Sequence, residues 1–176
     1  MLSWEALTEP LLASVQENEF WRNYLVDLHE TKSLAFEIHL AIFVEPYLRL
    51  VLEGRKTIES RFSTRRFPPY GRVQKGDVIL LKLSGGPIMG LCQVSNVWFY
   101  QLDSDSWPII RERFGTAICA QDASFWSDRA HTSYATLIRI DNVLAIEPVE
   151  YYKRDRRGWV ILANPLAHQQ LKLDIL

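Results

Sequence analysis

The sequence predicts an α+β fold: a small mixed β-barrel of about six strands with short flanking helices, preceded by an N-terminal helical hairpin. Three observations carry this. Before residue 37, apolar residues fall at helical spacing (Trp4, Leu7, Leu11 and Val15, then Trp21, Tyr24, Leu25 and Leu28), whereas beyond it they alternate or form short runs. The strands are not regularly separated by helices, which disfavours a doubly wound parallel sheet and favours closure into a barrel. The 176 residues, 48% apolar and 23% charged, suffice for one domain with a sizeable core and are too apolar for a disordered chain.

Residues 1–36 read as a helical appendage, two helices parted by the polar break Gln16–Glu19, with an apolar stripe that docks on the rest. The main domain, 37–176, opens on a strand in which Ile38, Leu40, Ile42 and Val44 alternate with His39, Ala41 and Phe43. Pro46 sits where a helix's first turn tolerates it and Gly54 where a helix ends; between them Leu48, Val51 and Leu52 make a short apolar face. Strand Thr57–Phe62 follows, then the basic loop Ser63–Lys75 with Pro68, Pro69 and Gly71. The turn Lys75-Gly76-Asp77 feeds strand Val78–Leu83. Ser84-Gly85-Gly86-Pro87 is a hairpin turn, since it lacks the length and the lysine of a phosphate-binding loop. Ile88–Tyr100 is a long strand. Ser106–Phe114 is a helix with Ser106 as its cap, and Asp122–Arg129 a second short helix or turn. Thr132–Pro148 is strand-rich, and the basic turn Lys153–Arg157 leads into a closing strand, Gly158–Leu162.

Net charge is −1, which argues against a generally basic nucleic-acid coat protein. The distribution is uneven. Arg49 to Lys82 carry nine cations against three acids, while the first 37 residues carry seven acids against Arg22 and Lys32. No apolar run is long enough to span a bilayer and no signal peptide is legible, so the expected location is cytoplasmic. Cys92 and Cys119 read as small buried hydrophobes of a reducing compartment. The four histidines, His29, His39, His131 and His168, show no ligand spacing, so neither a metal nor a cofactor is expected.

The densest chemistry lies in Gly54-Arg55-Lys56-Thr57-Ile58-Glu59-Ser60-Arg61. Alternation along a strand puts Thr57, Glu59 and Arg61 on one face and Ile58, Ser60 and Phe62 on the other. Cations beside Glu59 favour its ionised form, which accepts hydrogen bonds only and suits the exocyclic amine of a nucleobase. Arg61 offers a planar fork for phosphate or a base edge, and Lys56 a cation, or an amine base where burial lowers its pKa. The same trio is also how an ordinary ion-pair network reads. Arg65, Arg66 and Arg72 share a loop with Phe67 and Tyr70, cations interleaved with aromatics as single-stranded nucleic acid requires; the bland alternative is a solvated loop pinned by its prolines. Lys153, Arg154, Arg156 and Arg157 extend that patch only if their turn lies on the same side. Of Trp98, Phe99 and Tyr100, at least one faces away from the barrel interior, and Phe125 and Trp126 are either stacking surfaces or packing.

In this order of elements the chain resembles the ASCH family of the PUA-like superfamily. The resemblance runs from about Ile38 to Leu162 and is carried by the first strand into Glu45-Pro46-Tyr47, the helix to Gly54, the pattern G-x-K-x-x-E-x-R met by Gly54, Lys56, Glu59 and Arg61, and the turn Lys75-Gly76-Asp77-Val78. It implies a β-barrel with a cleft lined by the signature, suited to RNA or nucleotides, and in some members a link to transcription coactivation. One branch of the family hydrolyses the acetyl amide of 4-acetylcytidine with the signature lysine, a threonine three residues later as nucleophile and a downstream glutamate. Lys56 matches that lysine, but Glu59 stands in place of the threonine, and the downstream glutamate has no assigned counterpart: Glu112 lies in a plausible segment, with no local motif to anchor it.

The expected ligand-binding set is therefore Lys56, Glu59, Arg61, Arg65, Arg66, Arg72 and Tyr70, with Lys56 and Glu59 catalytic only if the protein is an enzyme. The leading function is recognition of RNA or a modified nucleoside. The alternatives are an amidohydrolase on acylated nucleosides and a protein-interaction adaptor acting through the acidic N-terminal hairpin.

Overall fold

The computed structural model describes residues 4–26, 28, 35–152 and 156–164. Its elements are α1 (Trp4–Ser14), α2 (Glu19–Tyr24), β1 (Ile38–Phe43), α3 (Tyr47–Leu52), β2 (Ile58–Ser63), β3 (Val78–Leu83), β4 (Ile88–Gln101), α4 (Ser106–Ile118), α5 (Ala123–Ser127), β5 (Tyr134–Val149) and β6 (Trp159–Ala163). The six strands make one curled half-barrel in the order β2-β5-β4-β3-β1-β6. β1 and β3 are parallel and every other pair is antiparallel. The long strands β4 and β5 shift register at three places, and such bulges supply the bend that curls the sheet.

Strand alternation sends one set of side chains inward and the other out. Inside, Ala41, Phe43, Ile79, Leu81, Cys92, Val94, Ile138 and Ile140 pack with Trp159 and with Leu48 and Val51 of α3. Outside, Ile38, Leu40, Val78, Leu80 and Ile88 pack beneath the hairpin, whose Leu7, Leu11, Val15, Trp21, Leu25 and Leu28 join the same cluster. The Trp21 indole donates to the Asn142 carbonyl at 2.8 Å and the Tyr24 hydroxyl to that of Gly76 at 2.6 Å, so polar tips as well as apolar faces tie α2 down. At the other end, Ile110, Phe114 and Ile118 of α4 and Phe125 and Trp126 of α5 cover Ile58, Ala135 and Leu137.

Two glycines fix the approach to the signature. Gly90 lets α3 sit on the sheet: a Cβ there would lie 2.7 Å from both the Leu144 carbonyl oxygen and a Leu52 methyl. Gly54 takes φ +72° at the end of α3, and the left-handed turn lets the Arg55 and Lys56 amides both donate to the Leu50 carbonyl. Ser106 is not the cap of α4, as the sequence suggested. Asp103 accepts from the Ser106 amide at 2.8 Å, and those hydrogen bonds hold the Asp103 carboxyl below its usual range.

The strand ladders leave a seam between β2 and the β1–β6 edge, so the closure expected from the sequence is not made by backbone pairing. A side chain spans the gap instead. Arg61 on β2 donates from Nη2 to the Ile42 carbonyl (2.9 Å) and from Nη1 to the Gly158 carbonyl (3.2 Å). A guanidinium suits this task because its planar fork reaches two acceptors at once.

Candidate functional site

The turn after α3 drops Lys56 under the start of β2, and strand alternation then aims Glu59 and Arg61 to the same side while Ile58 and Phe62 join the packing beneath α4 and α5. Lys56 and Glu59 are both buried, at 2% and 4% exposure, while Arg61 is partly open. Lys56 Nζ lies 3.2 Å from Glu59 Oε2 and donates to the Ile58 carbonyl at 2.6 Å. Arg61 Nε lies 2.7 Å from Glu59 Oε1, but its N–H is not aligned on that oxygen, so the contact is an ion pair and the aligned bonds of the guanidinium go to the seam carbonyls. The guanidinium also lies 5.2 Å from the Phe43 ring centre and 5.3 Å from that of Trp159.

Burial drives the Lys56 pKa below 10.5; the Glu59 charge and its hydrogen bond work against that, and the Arg61 charge reinforces it. An ammonium has three hydrogens and two are engaged here. The third hydrogen, or in the neutral form a lone pair, is left over on Nζ, which lies 5.9 Å from the Tyr47 ring centre. Cys92 is inert by contrast, its thiol pKa pushed up by burial first and by the Glu59 and Asp141 charges next.

Above this row opens a cavity of about 460 Å³, within the range of small-molecule sites. Its walls include the rings of Phe43, Tyr47, Phe62 and Phe125, and its lip carries Asp128, Arg129 and His131. Arg129 is built in: Nη1 donates to the Phe125 carbonyl at 2.7 Å and the guanidinium lies 3.8 Å from that ring's centre. Sequence reasoning missed Tyr47, Asp128, Arg129 and His131 as lining residues, because nothing local marks a loop that only tertiary folding brings over β2.

The structure thus brings Lys56, Glu59 and Arg61 together, and it separates them from the rest of the expected set. None of Arg65, Arg66, Tyr70 or Arg72 lines the cavity. Arg65 and Arg66 are exposed, with Arg66 5.3 Å from the Tyr134 ring centre. Tyr70 packs edge-on against Phe99 and Tyr134, which makes Phe99 the outward-turned member of its aromatic run, while Trp98 and Tyr100 pack on Phe114. Arg72 is committed elsewhere: Nη2 donates to the buried Glu37 carboxylate at 2.6 Å. Glu112 is exposed on α4 and does not line the cavity; Asp128 is the downstream acid that does. Phe125 and Trp126 are packing residues, Phe125 doubling as cavity wall. Cys119 is half-exposed rather than buried, its Sγ 3.4 Å from the Arg55 carbonyl. Arg156 and Arg157 are exposed near Gly158, whereas Lys153, Arg154, His29 and His168 lie outside the described residues.

A second buried polar group went unread in the sequence. Glu37, His39 and Asp77 come together on neighbouring strands, close enough to share a cation among the described residues. The hydrogen bonding tells against that use. The Trp159 indole donates to His39 Nδ1 at 3.2 Å, and an indole N–H only donates, so Nδ1 accepts and Nε2 keeps the hydrogen it directs at Asp77 Oδ2, 3.0 Å away. A metal on Nε2 would require the imidazolate. Asp77 is further held by the amides of Glu37 and Gln74, both at 2.8 Å. The group serves as a post behind Trp159, and Trp159 lies against Arg61.

Comparison with known proteins agrees with this architecture. The crystal structure of ASCH from Zymomonas mobilis superposes with a TM-score of 0.58 at 13% identity, over 77% of this chain and 94% of that one. That of protein EF3133 from Enterococcus faecalis V583 superposes with a TM-score of 0.50 at 15% identity, over 81% of this chain and 99% of that one. At such identities the likeness is one of fold. No curated protein matches the chain in sequence. Among the described residues no helix is long and apolar enough to cross a membrane. The family model for the ASCH domain matches residues 42–155, which take in the end of β1, α3, β2 with the signature and the cavity walls, and the chain belongs to the ASCH domain family with its PUA-like fold.

Proposed function

We propose that the cleft binds a nucleobase, as a free or modified nucleoside or within single-stranded RNA. The observation that carries this is a carboxylate, Glu59, set between two cations on the floor of an aromatic-walled cavity. Each Glu59 oxygen has one cation beside it and lone-pair capacity left over, which suits a base's exocyclic amine. Tyr47, half-buried in the wall, supplies a ring for a planar base, and base–aromatic stacking contributes roughly 1–3 kcal/mol per base. Arg66, over Tyr134, and the exposed Arg65 serve an attached strand: Tyr134 follows His131 and Thr132 of the cavity lip by a few residues along the chain. The test is calorimetric titration with cytidine, adenosine, guanosine and uridine. Cytidine, adenosine or guanosine should bind more tightly than uridine, which lacks the exocyclic amine, and Glu59→Gln should erase the preference in protein shown by circular dichroism to be folded. Equal binding of all four, unchanged by the substitution, would sink the proposal.

A second reading, hydrolysis of acylated nucleosides, has one observation in its favour: the lowered Lys56 pKa makes an amine base more accessible. It lacks a nucleophilic hydroxyl at the position of Glu59. An adaptor role through the hairpin has less support, since most of the hairpin's apolar residues pack in the outer core cluster and, among the described residues, Phe20 and Val26 are the large hydrophobics it leaves exposed.

A further inference from the structure

We infer that the site continues into a second subsite, which takes the adjoining nucleotide of a single-stranded RNA, so that the minimal full ligand is a dinucleotide. This rests on the reading of the first cleft as a nucleobase site. The second cavity, about 390 Å³, lies beyond the Arg61 bridge and is framed by the β3–β4 turn and the approach to β6. The two cavities share Ile42. Gly158, which lines the second, gives its carbonyl to Arg61 of the first, and a Cβ at Gly158 would lie 3.2 Å from Arg61 Nη1. The Arg61 guanidinium and the main chain it holds therefore lie between neighbouring cavities, close enough for one strand to reach both.

The lining of this second cavity has the chemistry of a nucleotide site. Among the described residues it contains Lys82, Arg156 and Arg157 with the acid Glu150, and Arg156 is the cation it offers to a phosphodiester. Lys82 is a buried cation whose Nζ is held by the Leu83 and Gly86 carbonyls, which fixes positive charge at the floor. Two further features point outward from the protein. Arg156 is exposed and has no ion-pair or hydrogen-bond partner among the described residues. Tyr152 is 74% exposed, a large ring left in water at the cavity's edge with no ring contact among the described residues. An aromatic face beside a cationic floor is the arrangement that holds a base and its phosphate without reading sequence. The first cavity would then select the base, and the second would add affinity to any neighbour.

The experiment compares a nucleoside monophosphate, the matching dinucleotide and a longer homo-oligomer by calorimetry and fluorescence anisotropy, on the full chain and on Tyr152→Ala and Arg156→Ala. Both substitutions are at exposed positions outside the first cavity. The dinucleotide should bind about tenfold more tightly than the monophosphate, and Tyr152→Ala should abolish that gain while leaving monophosphate affinity unchanged. Arg156→Ala should lower the slope of log affinity against log salt by about one contact's worth for the dinucleotide only. Equal affinities for monophosphate and dinucleotide would overturn the second subsite and leave the first intact. Binding of none of the three ligands would overturn both, and a loss of monophosphate affinity in Tyr152→Ala would show that the two cavities are not separate sites.

Discussion

Removing the charge of Glu59 should expose the cost of burying Lys56. In Glu59→Gln the Lys56 ammonium keeps its Ile58 carbonyl at 2.6 Å but loses the carboxylate 3.2 Å away, and Arg61 loses its own at 2.7 Å. Breaking a buried pair from one side costs about 3–5 kcal/mol, because a charge is left uncompensated. Lys56 has an escape, which is to release its proton. Its folded pKa already lies below 10.5, and the Glu59 charge is the largest influence holding it up, so the substitution lowers it further. The sign then follows from linkage. A base with a depressed folded pKa gives stability that is complete above its unfolded pKa and lost as pH falls through the folded one. The variant's folded pKa is the lower, so its stability starts to recover at a lower pH than the wild type's. The deficit should be largest, about 3–5 kcal/mol, below the variant's Lys56 pKa and shrink as pH rises from there toward the wild-type Lys56 pKa. Urea unfolding followed by tryptophan fluorescence across that range measures it. Adding Lys56→Met to Glu59→Gln should restore part of the loss and flatten the pH dependence. A deficit under about 0.5 kcal/mol, or one that is flat in pH and additive with Lys56→Met, would refute the reasoning.

Three further outcomes follow from particular contacts. Trp159→Phe keeps a ring near Arg61 but leaves buried His39 Nδ1 without its donor, and should cost about 1–3 kcal/mol in chemical unfolding; a change under about 0.5 kcal/mol would remove the post behind Arg61 from the account. Arg72→Ala strips the partner from the buried Glu37 carboxylate and should destabilise the fold without altering the salt dependence of RNA binding, whereas a stable variant with a flatter salt slope would return Arg72 to the ligand. Long incubation with 4-acetylcytidine, followed by chromatography, should yield no cytidine; release by the wild type but not by Lys56→Ala or Glu59→Gln would promote the hydrolase reading.

Much of the fold was legible because strand alternation and helix punctuation are local. Pro46 and Gly54 bracket α3, Lys75-Gly76-Asp77 opens β3, and the opposed faces of β2 follow from its period of two. The same alternation placed Glu59 and Arg61 on one side, next to Lys56. What stayed hidden is what depends on elements far apart in sequence. The bond of Trp159 to His39 links residues 120 positions apart, and that of Arg61 to Gly158 links residues 97 apart. Tyr47, Asp128 and His131 line one cavity only because α3 and the loop after α5 are both brought to β2 by the fold, and no single stretch of sequence records that meeting.

Charge is where sequence and structure part most usefully. Nine cations between Arg49 and Lys82 read as a polyanion-binding stretch, yet the fold has already assigned most of them. Lys56 and Arg61 face Glu59, Arg72 holds Glu37, Arg49 and Arg55 lie within 4 Å of Glu53, and Lys82 is bound to the carbonyls of its turn. Of the nine, Arg65, Arg66 and Lys75 are exposed without an ion pair among the described residues, and Arg156 joins them from the approach to β6. About four cations, rather than nine, are then left for phosphates. Each phosphate contact on a single strand contributes roughly −0.7 to the slope of log affinity against log salt, so RNA binding should show a slope near −3 and not near −6. Replacing Arg65 and Arg66 together by alanine should bring it to about −1.5. A wild-type slope near −6 would mean that the internal ion pairs open to receive the ligand, and the cleft would then have to be redrawn with Arg61 released from the seam.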